Sequence, residues 1–152
     1  MGDENGLALA EILEPAILVW ESLTMKRQDL FLQMDRLGMN TQEALTRFMG
    51  NEELFLSFVC QLPEKLDFTA IRQALENQDD NAFYMGVHNL KGMAGNLSIT
   101  PIHDCTQALL VEFRTSGFKN RTKLLSLTQE AEEESKALAQ LIRQYLAEGD
   151  AR

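Results

Sequence analysis

The chain has 152 residues, 45% of them hydrophobic, and a formal net charge of −9 at neutral pH. That length supports one domain with a real core, while the acidic balance works against nucleic acid and anionic membranes, which reward clusters of lysine and arginine. Cys60 and Cys105 stand among apolar neighbours without a Cys-x-x-Cys pair, so they read as buried, reduced thiols. The apolar run Pro15 to Trp20 is far short of the ~20 residues that span a bilayer. With no secretory signal ahead of it, the chain is expected to be cytoplasmic.

Repeated three-four spacing of Leu, Ala, Met and Phe, three prolines and weak strand signals predict an all-α protein. The first segment, Leu7 to about Leu37, carries Ile12, Leu13, Trp20, Leu30, Phe31 and Met34 at helical spacing, with a start or kink at Glu14-Pro15. Gly38 ends it. A short helix follows through Ala44, Leu45, Phe48 and Met49. Asn51 then caps an element whose core face is Leu54, Phe55, Phe58, Val59 and Leu62, with Glu52 and Glu53 in its first turn. A break at Pro63 precedes a helix through Leu66, Ile71, Ala74 and Leu75.

Asp79-Asp80-Asn81 stops that helix and starts the next, which runs to about Leu97. Thr100 caps a further helix with Pro101 in its first position and Ile102, Cys105, Leu109 and Phe113 inward, ending at Ser116-Gly117. The last helix, Asn120 to Leu146, is amphipathic through Leu124, Leu127, Ala131, Leu138, Ile142 and Tyr145. Its run of glutamates from 130 to 134 reads as a solvated face. Together these predict an antiparallel four-helix bundle with one or two extra N-terminal helices. Residues 1–37 are read as an extension, helical and packed on the bundle, and 38–152 as the bundle domain.

The helix through His88 carries the chemistry. At about 100° per residue, Tyr84, His88, Lys91, Gly92 and Gly95 share one side, and Phe83, Val87, Leu90, Ala94 and Leu97 the other. Glycine costs roughly 1 kcal/mol relative to alanine inside a helix, so Gly92 and Gly95 call for a compensating reason, such as close approach by another molecule. A neutral imidazole has a lone pair for attack on phosphorus, and Lys91 at i+3 is a point charge able to offset a phosphoryl group. Pairing this helix with the next about a turn near residue 99 places Leu110 level with His88 and Gln107 and Arg114 one turn to either side. Arg114 is thus a candidate second cation and Gln107 a weaker polar neighbour. Tyr84 and Met85, with Gly95, are candidates for a partner contact patch. No metal site is expected, since neither His88 nor His103 has a second ligand at helical spacing.

The stretch His88-x-Leu90-Lys91-Gly92-x-Ala94-Gly95-Asn96-Leu97 resembles the phosphorylation motif of histidine-containing phosphotransfer (HPt) domains of two-component phosphorelays. Leu45-x-Arg47-Phe48-x-Gly50-Asn51 resembles, with less specificity, the start of such domains. The resemblance implies a helical bundle and a carrier rather than an enzyme: His88 takes a phosphoryl group from the aspartyl phosphate of a receiver domain and passes it to another receiver's aspartate. It further implies that Lys91 supports the phosphohistidine and that Gly92 lets the partner come close. The implied partners are response-regulator receiver domains and a hybrid or sensor histidine kinase. The receiver brings the Mg²⁺ and the carrier has no cofactor of its own. A monomer is favoured over a dimer. Two other readings stay open: the phosphorylatable domain of a chemotaxis-type kinase, which shares the His-x-x-Lys-Gly core, and a structural adaptor acting through residues 7–37. No nucleotide-binding glycine loop or catalytic base can be assigned.

Overall fold

The structure is a computed structural model and describes residues 25–148. The part of the expected Leu7-to-Leu37 segment before residue 25, with the kink at Glu14-Pro15, lies outside the described residues. Within them the chain forms eight helices: α1 (Arg27–Arg36), α2 (Thr41–Arg47), α3 (Glu52–Val59), α4 (Leu62–Lys65), α5 (Thr69–Glu76), α6 (Asp80–Asn96), α7 (Thr100–Ser116) and α8 (Arg121–Glu148). No strand is present among them, and one isolated bridge joins Met39 to Ile99.

Helices α5 to α8 run up and down as an antiparallel bundle. Their starts are set by side chains that satisfy free backbone N–H groups. Asp79 accepts from Ala82 N at 3.1 Å to open α6, and Asn120 from Lys123 N at 3.3 Å to open α8. Helix α7 differs from expectation: Thr100 is already helical, Ile99 occupies the cap position without a side-chain bond, and Pro101 follows within the first turn. Because proline lacks the N–H that a cap would satisfy, the side-chain acceptor matters less there.

The front of the molecule is cut into short pieces by glycines with positive φ. Gly38, at φ 96°, would place a Cβ 2.5 Å from Pro101 Cγ, so α1 can turn against α7 only because no side chain intervenes. Gly50, at φ 75°, separates α2 from α3, where Asn51 accepts from Leu54 N at 3.1 Å. Helix α1 lies on α8 and buries Leu30, Phe31 and Met34, and Arg143 of α8 donates to Pro63 O at 3.4 Å. The core is one cluster. It runs from Leu30, Met34 and Phe55 through Phe83, Val87 and Leu109 to Ile142 and Tyr145. Two aromatic groups border it: Phe83, Phe113 and Phe118 with centroids 5.0–5.5 Å apart, and Phe31, Phe48 and Phe55 with the exposed Phe58, with centroids 5.3–5.6 Å apart.

Met49, expected within the short helix that precedes α3, lies at the turn after α2 and is 95% exposed. Two side chains expected on the core face of the next element are not in the core: Leu54 and Phe58 are each 46% exposed. Helix α3 spans only eight residues, so Phe55, Leu56 and Val59 use up the face it can bury, and the flanking apolar side chains stay on the surface.

Candidate functional site

Helix α6 holds together because its inner stripe outweighs its glycines. Phe83, Val87, Leu90 and Ala94 are buried along it, with Leu97 at its end. Each large apolar side chain contributes about 1.5–3 kcal/mol, against about 1 kcal/mol for each glycine. The glycines have different surroundings. A Cβ at Gly86 would come 3.0 Å from Ile71 of α5, and one at Gly95 would meet the His103 ring of α7 at 3.5 Å. A Cβ at Gly92 would meet nothing within 4 Å, so packing within the described chain gives no reason for glycine there.

His88 is exposed near the middle of α6. One turn earlier, the Tyr84 ring stacks on the imidazole, with centroids 5.7 Å apart and planes 8° from parallel. Arg114 of α7 donates from Nη2 to Tyr84 Oη at 3.4 Å, and its guanidinium lies 5.8 Å from the centre of that ring. The contacts Gly95–His103 and Tyr84–Arg114 are both symmetric about residue 99. That register sets Leu110 level with His88, and Leu110 is 0% exposed, so it faces the core. Gln107 is level with Lys91, and its Oε1 is buried without a hydrogen-bond partner among the described residues.

The other flank of His88 is a groove of about 710 Å³, lined by His88, Asn89, Gly92, Met93 and Asn96 of α6 and by Arg47, Phe48, Phe58, Gln61 and Lys65 from the front helices. Arg47 is fixed there: it pairs with Glu43 at 2.6 Å and donates to Ser98 Oγ and to Asn96 O. Lys91 is half-buried and makes no ion pair with another described residue. Lys91, Lys65, Arg47 and Arg114 thus stand around His88 in a chain whose net charge is −9. Cations near the imidazole favour an anion there.

The structure therefore brings His88, Lys91 and Gly92 onto one face, with Tyr84 beside the imidazole and Arg114 on Tyr84. Met85 is exposed one turn before His88, while Gly95 is turned toward His103, and His103 Nδ1 lies 3.8 Å from Asp104. Sequence reasoning missed Arg47, Phe48, Phe58 and Lys65 as neighbours of the histidine. The signal for Phe58 was an apolar face on α3 wider than one short helix can bury. No group of three or more His, Cys, Asp or Glu side chains is placed to hold a metal ion among the described residues.

The described residues form a helical bundle that presents an exposed imidazole in mid-helix, with a lysine one turn on and a bare glycine beside it. The chain belongs to the Hpt domain family, whose model matches residues 53–148. Comparison with curated proteins and with solved structures gave no match. An Hpt domain is a histidine phosphocarrier of phosphorelays rather than a kinase, and interacts with receiver domains and histidine kinases of two-component systems. That general role is this chain's. No helix among the described residues is long and apolar enough to cross a membrane.

Proposed function

We propose that His88 is the phosphoacceptor and that the chain relays phosphoryl groups between receiver domains in the cytoplasm. The observation that carries this reading is an exposed imidazole in mid-helix beside Lys91 and a glycine whose outer side is empty. A ring nitrogen attacks the phosphorus of a receiver's aspartyl phosphate. The N–P bond forms, the P–O bond to the aspartate breaks, and the aspartate leaves as carboxylate. The proton on the other ring nitrogen stays, giving a phosphoimidazolium. Attack by a second receiver's aspartate on the same phosphorus reverses these bonds and returns neutral imidazole.

Lys91 offsets charge on the bound phosphoryl group, which carries close to two negative charges. Gly92 leaves room for the partner's backbone or side chains at the groove. Burial of the ring would have stranded that charge away from water. The receiver, not this chain, supplies Mg²⁺ and the acidic pocket. The bundle of residues 38–152 is the unit that carries transfer, with 1–37 an extension of it, and the chain acts as a monomer. Incubation with a receiver domain charged on its aspartate with acetyl phosphate should label the chain. His88→Gln should abolish that label, and a His88→Gln chain that still accepts it would sink the assignment.

A further inference from the structure

We propose that Tyr84 is a positioning residue for His88, and that Arg114 acts on phosphotransfer through Tyr84 rather than by touching the phosphoryl group. The inference rests on the reading of His88 as phosphoacceptor. Tyr84 and His88 are one helical turn apart, so both side chains leave α6 on the same side. Their rings are 8° from parallel at 5.7 Å, an offset stack of the kind that aromatic pairs favour. An exposed histidine otherwise samples several rotamers. A ring stacked on one face keeps fewer of them, and a nucleophile held in one orientation reacts faster than one that must find it.

Tyr84 is itself held from a second helix. Arg114 bonds its hydroxyl at 3.4 Å and places its cation 5.8 Å from the ring centre. At the level of the imidazole α7 offers only the fully buried Leu110. The contact by which α7 reaches the stack on His88 is Arg114 on Tyr84. Tyr84 covers the side toward the start of α6, and His88 borders the groove with Asn89 and Gly92. The stack leaves the groove flank as the side from which a donor approaches.

The test uses the full chain with Tyr84→Leu, Tyr84→Phe and Arg114→Met. Two quantities are read: the carbon-bound proton resonances of the His88 ring, and transfer kinetics from a receiver domain charged with acetyl phosphate. Tyr84→Leu removes the ring current and should move the His88 resonances toward their values in an unstructured peptide. It should also lower the maximal transfer rate about two- to tenfold, the range one aromatic pair supplies, without changing the receiver concentration that gives half that rate. Tyr84→Phe should fall between wild type and Tyr84→Leu. Arg114→Met should move both readouts in the same direction by less, and because Arg114 is exposed it carries the test should Tyr84→Leu lose helical content. Unshifted His88 resonances in Tyr84→Leu would overturn the proposal. So would a change confined to half-saturation, which would make Tyr84 a docking contact, or a larger loss in Arg114→Met than in Tyr84→Leu. A wild-type chain that takes no label while its His88 resonances still respond to Tyr84→Leu would overturn the phosphoacceptor reading itself, and the positioning role with it.

Discussion

A methyl group added at Gly92 separates the demands of folding from those of a partner. Among the described residues it meets nothing within 4 Å beyond its own stretch of helix, and alanine is favoured over glycine in a helix by about 1 kcal/mol. Gly92→Ala should therefore raise the thermal midpoint slightly while slowing transfer from a receiver. The slowing should be larger than with phosphoramidate, a donor too small to meet the added methyl. Equal slowing with both donors would remove partner access as the reason for the glycine. The cysteines behave differently. Burial, reinforced by Glu130 and Glu134, pushes the Cys105 thiol up to about 11 from an ordinary value of 9.0, and burial raises Cys60 as well. A thiol whose folded value is raised contributes stability that is fully present below its unfolded value and lost as pH rises through the folded one. Stability should thus decline between about pH 9 and 11, and Cys105→Ala should flatten that decline in denaturant melts. At pH 8 alkylation of the native chain should be slow at Cys105.

At the level of the helix, α6 was the most legible element, because a period of 3.6 assigns Phe83, Val87, Leu90 and Ala94 to the core without knowledge of any neighbour. Its start at Asp79 was equally plain. What the sequence left hidden depends on contacts between remote segments. The groove beside His88 takes Arg47, Phe48, Phe58 and Lys65 from three other helices, and no local pattern announces that they converge. Arg114 shows the intermediate case. Counting residues across the α6–α7 turn brought it to within one turn of His88, but only packing shows that its partner is Tyr84. Turns governed by backbone strain can be read and tested one residue at a time. Gly38→Ala puts a side chain at φ 96° and 2.5 Å from Pro101 Cγ. It should cost about 1–3 kcal/mol in urea unfolding. A neutral effect would mean that α1 does not hold its place against α7.

Across the whole molecule, the described residues share one hydrophobic cluster, in which Leu30 and Met34 of α1 belong with Ile142 and Tyr145 of α8. The family match covers residues 53–148, and α1 and α2, which precede it, share the same core. Composition made the helical class and the acidic surface legible from the outset. The gathering of cations near His88 was not, since it needs Arg47 and Lys65 brought in from the front helices.

The bridge between Met39 and Ile99 is the one strand-like pairing among the described residues, and in it Asn40 N donates to Ser98 O at 2.9 Å. That proton is held by neither a helix nor a neighbouring turn. It can trade with solvent deuterium only when the front layer parts from the α6–α7 corner. The exchange rate at Asn40 thus serves as a clock for that separation. If front and bundle open together, Asn40 should exchange as slowly as the buried amides of α6. A much faster rate at this position would reveal an N-terminal layer that lifts while the helix carrying His88 stays intact.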